Sequence, residues 1–227
     1  MTDAAGEPAA GRSIPPQVGR LDAASLSDAD KTLRVLPREL RPFTRGVKMI
    51  GRAVTVEARG DLIPVLAGLQ QAGSGDVLVV DAGSTSHAVL GELFASEAIR
   101  RGLAGIVVYG LCRDTATLAD LPLPIYALGS TPRAHAASTV PLVSRPIRLG
   151  DVEVRPGDIL VGDDDGIVVA TDDELEHALP LAKSIQEREA AIRAAIEGGT
   201  SLFDLLNYRE HLERLRNGQP TSLTFKV

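Results

Sequence analysis

The apolar residues of this chain change their spacing from segment to segment, and each change marks an element. Between Ser25 and Leu36, the residues Leu26, Ala29, Leu33 and Leu36 recur at helical intervals. They predict a short helix with Ser25 or Ser27 as its N-cap, closed by Pro37 and Pro42. From Gly51 to Glu57 the pattern alternates with β-branched residues and predicts a strand, and Leu62 to Gln71 predicts a helix stopped by Gly73 and Gly75. Asp76-Val77-Leu78-Val79-Val80-Asp81 is an apolar run between two acids, the mark of a strand buried on both faces. After a small-residue loop at Ala82 to Ser86, the segment Ala88 to Arg101 carries Leu90, Leu93, Phe94, Ala98 and Ile99 at helical spacing, with Gly102 as its stop. Leu103 to Tyr109 reads as a second buried strand.

Strand, helix, strand at this length is a βαβ crossover, so the two strands should run parallel. The loops that follow them then share the carboxyl edge of the sheet, where open α/β sheets bind ligands. Gly91-Glu92 and Gly110-Leu111-Cys112-Arg113-Asp114 are thereby expected to face one pocket. Beyond a short strand around Pro124 to Ala127, the pattern turns more purely β. Val152 to Val154, a turn at Pro156-Gly157-Asp158, and Ile159 to Val161 suggest strand, turn, strand; Gly162 to Gly166 reads as a tight turn before Ile167 to Ala170. A last long helix begins at Thr171, where Thr171 and Glu174 form a capping box. Pro180 is expected to kink or split it, and Gly198-Gly199 to end it.

Composition narrows the class. At 227 residues the chain can hold one ordinary core and a small appendage. Aromatic residues make up only 3% and tryptophan is absent, so the core must come from Val, Leu, Ile and Ala. The net charge of -6, without a long Lys/Arg block, argues against a nucleic-acid partner, whose phosphates need a basic face. No stretch of about 20 apolar residues could span a bilayer. The Ala-, Gly- and Pro-rich start also lacks the basic and apolar regions of a signal peptide. Cys112 is the one cysteine, which excludes an intrachain disulfide. These features suggest a soluble cytoplasmic protein with a flexible tail at residues 1–18 and a single domain at 19–227.

Arg113-Asp114 pairs a planar carboxylate binder with a hard oxygen ligand suited to Mg²⁺. The same pair also reads as a solvated ion pair capping a loop, and the local sequence does not choose between the two. Gly91-Glu92-Leu93-Phe94 could offer exposed amides to an anion at a helix start, or Gly91 could be a packing contact. Asp163-Asp164-Asp165-Gly166 does not match an EF-hand, because the sixth position is Val168 rather than glycine, and a turn is the better reading. Cys112 has no histidine partner in the local sequence and reads as a buried structural thiol. His87, His135, His177 and His211 lack metal-ligand spacing, and only His87 falls in the candidate loop.

The order of Asp76 to Asp81, Gly91-Glu92-Leu93, Arg101 to Val108, Gly110 through Arg113-Asp114, Pro156-Gly157-Asp158 and Asp163 to Gly166 resembles the 4-hydroxy-4-methyl-2-oxoglutarate aldolase family. That family also contains the regulator of ribonuclease E activity A. The likeness covers roughly Leu21 to Leu206. It implies an α/β fold, an α-β-β-α sandwich of the RraA-like, swivelling-domain type with a βαβ core, assembled as a homotrimer or homohexamer. It further implies a class II aldolase using Mg²⁺ or Mn²⁺ to split a 4-hydroxy-2-oxo acid to pyruvate, with oxaloacetate decarboxylase side activity. By that likeness Gly91, Glu92, Leu93, Phe94 and Arg113 hold the pyruvyl group, and Asp114 binds the metal. Glu92 and Glu189, the latter from a neighbouring subunit, steady its waters. The rival reading on the same scaffold is a non-catalytic regulator that binds an RNA-processing enzyme through an acidic surface.

Overall fold

The computed structural model describes residues 13–59, 61–83, 86–134, 138 and 140–226. Most of the expected tail, residues 1–12, and His135 lie outside the described residues. The chain forms two compact units, Met1–Leu179 and Pro180–Val227.

In the first unit a 3-10 turn at Pro16–Arg20 leads to α1 (Ala23–Ala29). This helix is shorter than its spacing predicts. Asp22, not Ser25 or Ser27, is the N-cap, its carboxylate accepting from the Ser25 amide at 2.7 Å. Asp30 ends the helix in extended conformation and accepts from the amide and hydroxyl of Thr32, a local turn that competes with helix. Leu33 and Leu36 are buried all the same, but from extended chain around β1 (Arg34–Val35).

After β2 (Arg41–Pro42) comes the long β3 (Met49–Glu57), and α2 (Leu62–Gln71) and β4 (Asp76–Asp81) follow where the sequence pattern puts them. The remaining elements are β5 (Ala88–Leu90), α3 (Glu92–Arg101), β6 (Gly105–Cys112), α4 (Thr115–Ala119), β7 (Ile125–Ser130), β8 (Leu142–Val143), β9 (Ile147–Leu149), β10 (Val152–Val154), β11 (Ile159–Asp163), β12 (Gly166–Ala170) and α5 (Asp172–Glu197). The main sheet runs β1-β12-β11-β3-β4-β6-β7-β2, with β5 added to β6 and β8 to β3. Strands β3, β4, β6 and β7 are parallel, as the βαβ reading requires.

Alternation along these strands divides the core in two. Val56, Leu78, Val80, Ile106 and Val108 face one side, against residues of α2 and α3 such as Val65, Leu69, Ala95 and Ala98. Met49, Ala53, Val77, Val79 and Val107 face the other, against Ile147 and Leu149 of β9 and Val154 of β10. Both faces of β4 are therefore dry, and Val77 through Val80 are fully buried. Each such side chain stabilises the fold by about 1.5–3 kcal/mol through lost water contact. The fold is the mixed α/β class that the sequence suggests.

Two expectations shift. The helix expected over Ala88 to Arg101 is really strand β5, then Gly91, then α3. Ala88, Val89 and Leu90 are all buried, and Leu90 lies opposite Cys112 across a parallel pairing. Strand β6 does not end at Tyr109 but continues to Cys112. Gly110 looks like a stop in sequence, yet it serves close packing, since a Cβ there would collide with the Cβ of Ala82. The turn at Pro156 to Asp158 joins strand to strand as expected and passes between two sheets: β10 pairs β9, whereas β11 pairs β3 and β12. The capping box at Thr171 and Glu174 forms in both directions, at 2.7 and 3.2 Å. Helix α5 continues through Pro180 and ends before Gly198.

The second unit contains the rest of α5, α6 (Leu202–Leu205) and α7 (Tyr208–Arg216). Its turns are tied by an isolated bridge between Leu206 and Phe225, by Asn207 bonded to Thr224, and by the tilted contact of the Phe203 and Tyr208 rings. No helix among the described residues is long and apolar enough to cross a membrane.

The sheet-switching turn depends on Asp158, which is 5% exposed and binds Arg34 at 2.6 Å and the Arg155 amide at 2.8 Å. Asp158→Ala takes from the Arg34 guanidinium its closest carboxylate, leaving it the Glu153 carbonyl at 3.0 Å and Glu174 at 3.5 Å, and leaves the Arg155 amide without its acceptor. It should cost about 2–3 kcal/mol, read as a lower urea midpoint with an unchanged m-value. An unchanged midpoint would show that the turn holds without this ion pair.

Candidate functional site

Strand β5 begins where β4 has ended, and pairs with the last residues of β6. The pairing continues one step further, because the Arg113 amide donates to the Leu90 carbonyl at 2.9 Å. Gly91, the residue after Leu90, is thus set beside Arg113 and Asp114 at the carboxyl edge of the sheet. Its φ of -151° is extended backbone that any residue adopts. The requirement for glycine is space: a Cβ would lie 2.6 Å from Asp114 Oδ2 and 3.1 Å from both Cγ and Nε of Arg113.

Asp114 has left-handed backbone angles, φ 58° and ψ 38°, which aspartate tolerates better than most residues but still at about 1–2 kcal/mol. It stands at the N-cap position of α4 without capping that helix through its side chain. Its Oδ2 instead accepts from the Glu92 amide, the first of α3, at 3.1 Å and lies 3.4 Å from Arg113 Nε. The side chains of Arg113 and Asp114 are 42% and 32% exposed, so their ion pair adds little stability. Strain on a half-exposed carboxylate that caps another element's helix fits a site better than a structural contact.

The next amides of α3, those of Leu93 and Phe94, belong to its first turn and have no acceptor within the helix. With the Arg113 guanidinium they are the candidate donors for an anion at this edge. Beside it a recess of about 530 Å³ is lined by Glu92, Arg113, Asp114, Thr115, Ala116, Thr117, Ser130, Thr131 and Pro132. Four of these side chains carry hydroxyls, and sequence reasoning missed them. The signal was available for Ser130 and Thr131: β7 is parallel to β6, so its carboxyl end must reach the same edge. A second, smaller recess touches Arg113 from the side of Leu62, Leu90 and Phe94.

The other candidates separate cleanly. Glu92 lines the larger recess, and Leu93 and Phe94 the smaller. Glu189 is exposed on the part of α5 that belongs to the second unit. Cys112 is fully buried with Sγ 3.5 Å from the Gly129 carbonyl, and burial pushes its thiol up to about 12. It stays protonated at neutral pH and is structural. His87 lines neither recess; its Nδ1 is 3.4 Å from Ser86 Oγ. The acidic turn is structural as well: Asp163 accepts from the Ala23 amide and Asp164 from that of Gly46.

Among the described residues no three His, Cys, Asp or Glu side chains form a ready-made metal cage. The donors present still suit Mg²⁺ or Mn²⁺. These are hard oxygen donors, Asp114 and Glu92, on a recess with room for water, and Mg²⁺ often uses only one or two carboxylates. Asp114 Oδ1 has no hydrogen bond among the described residues.

Gly91→Ala should displace the Asp114 carboxylate while leaving the backbone of α3 unstrained. The expected result is Mn²⁺ affinity lower by about 10–100-fold, with the thermal midpoint little changed, measured by titration and melting of the same sample. Unaltered affinity would mean that Asp114 is not held through Gly91.

Known proteins resemble the chain in sequence and fold. A protein of Halalkalibacterium halodurans provisionally named a 4-hydroxy-4-methyl-2-oxoglutarate aldolase is 33% identical over 201 residues, spanning 88% of this chain and 93% of that one. A 4-hydroxy-4-methyl-2-oxoglutarate aldolase of Thermus thermophilus is 36% identical over 145 residues, 63% of this chain and 88% of its own. Among solved structures, the RNA-processing inhibitor RraA from a Thermus species superposes with a TM-score of 0.61 at 34% identity, covering 65% of this chain and 90% of that one. Residues 23–169, from α1 to the last strand and including the whole Gly91–Arg113–Asp114 cluster, match the aldolase/RraA family model, and the chain belongs to this RraA-like family.

Proposed function

We propose that the chain is a divalent-metal-dependent carbon–carbon lyase that cleaves a 4-hydroxy-2-oxo acid, such as 4-hydroxy-4-methyl-2-oxoglutarate, to pyruvate and a second carbonyl product. The observation that carries this reading is the meeting of Arg113, Asp114 and the first amides of α3 around Gly91. The names of the relatives in Halalkalibacterium and Thermus support the same reaction class.

In this reading the substrate carboxylate is held by the Arg113 guanidinium and the amides of Leu93 and Phe94, two-point recognition joined to a helix N-terminus. Asp114 would hold Mg²⁺ or Mn²⁺ directly, with Glu92 and the Glu189 of a neighbouring copy acting through its waters, in a homotrimer or homohexamer. When bound, the cation supplies Lewis-acid polarisation of the keto oxygen. The C4 hydroxyl loses its proton to a water ordered by acidic neighbours, the C3–C4 bond breaks, and C4 becomes a carbonyl. The electron pair passes to C3 and the keto oxygen as pyruvate enolate, next to the positive charge of Arg113, before C3 is protonated. Oxaloacetate decarboxylation leaves the same enolate and is the expected side activity.

The test is pyruvate release from 4-hydroxy-4-methyl-2-oxoglutarate and from oxaloacetate, with Mg²⁺ or Mn²⁺ and with a chelator. Wild-type turnover should vanish with the chelator and return with metal. Arg113→Ala and Asp114→Ala should each lower kcat/KM by about 100-fold or more. Turnover that survives chelation or Asp114→Ala would refute the reading. No turnover by folded, metal-loaded protein would favour a non-catalytic regulator; the Thermus neighbour is named an RNA-processing inhibitor.

A further inference from the structure

Arg113 is a wall of two recesses of opposite character. Toward Asp114 lies the polar one, rich in hydroxyls. On the other side is a recess of about 70 Å³ in which every described lining side chain except Arg113 is hydrocarbon, including Leu62, Val89, Leu90, Phe94 and Ala134. At roughly 30 Å³ for a water-sized group, it holds about two methyl-sized groups. Gly91 borders this recess, and the Cβ it lacks would also meet Asp114. A ligand gripped by Arg113 therefore has polar surroundings on one flank and a small dry pocket on the other.

We propose that the dry pocket receives the alkyl group at C4 of the bound oxo acid, and that Phe94 and Ala134 set its length. The inference rests on the reading of Arg113 as the carboxylate grip. The preferred substrates are then 4-hydroxy-2-oxo acids that carry a methyl or ethyl group on C4, with the C4 hydroxyl turned to the polar flank. A second carboxylate is disfavoured in the pocket. It would lose its water against Leu62, Val89, Leu90 and Phe94, and the one guanidinium is already engaged in a two-point contact. Ala134 is exposed and joins Ala88 by an isolated bridge, so a larger side chain there fills the pocket without disturbing the core.

Calorimetric titration of the full-length, Mg²⁺-loaded protein with pyruvate, 2-oxobutanoate, 2-oxopentanoate, 2-oxohexanoate, 2-oxoheptanoate and 2-oxoglutarate tests this without relying on turnover. Affinity should rise about fourfold for each carbon from 2-oxobutanoate, which carries nothing on C4, to 2-oxohexanoate, which carries an ethyl group there, the value of one buried methylene, and fall at 2-oxoheptanoate. 2-Oxoglutarate should bind more weakly than 2-oxobutanoate. Ala134→Leu should abolish the rise while leaving pyruvate affinity unchanged, and Phe94→Ala should move the optimum to a longer chain. Arg113-dependent pyruvate binding with a flat series, or with 2-oxoglutarate as the tightest ligand, would overturn the pocket assignment alone. Failure of folded protein to bind any of the acids would overturn the lyase reading and this assignment with it.

Discussion

The parallel pairing of β5 with the end of β6 is the interaction on which the site depends. Without it, Gly91 and Arg113 would be ends of unrelated loops. With it, the hydrogen bond from the Arg113 amide to the Leu90 carbonyl fixes the start of α3 beside Asp114. The spacing is close enough that a single methyl at Gly91 would intrude on the carboxylate. The arrangement also explains the strained backbone of Asp114. Its left-handed turn aims the side chain away from its own helix and at the first amide of α3.

The rest of the first unit supports that junction. Strands β4 and β6 are buried on both faces, which anchors their carboxyl ends against rigid neighbours on either side. Functional side chains projecting from such ends inherit that rigidity, which suits a site that must hold a carboxylate and a developing negative charge in fixed positions. Cys112, buried just before Arg113, contributes packing and a weak bond to Gly129, not chemistry.

Much of this was legible in the sequence because the signals were local. The run from Asp76 to Asp81 reads as a doubly buried strand, and Gly102 is a good helix stop. The βαβ reading of these signals brings Gly91 and Arg113-Asp114 to one edge. What the sequence hid was non-local. Ala88 to Leu90 is compatible with the helical spacing of the residues after it, and only pairing with β6 makes it a strand. Gly110 resembles a stop because glycine usually marks a turn, whereas here it admits Ala82. The helix predicted past Ala29 lost to a side-chain turn at Asp30. The hydroxyl-lined wall from β7 required knowing which strand sits next to β6.

The proposed lyase activity requires that Arg113 and Asp114 together stabilise a pyruvate enolate. Deuterium exchange at the pyruvate methyl in D₂O, followed by proton NMR with Mg²⁺ present, reports that step without any C–C cleavage. Exchange catalysed by the wild-type protein and abolished in Asp114→Asn is the predicted result. Absence of exchange by protein shown to bind pyruvate through Arg113 would contradict it.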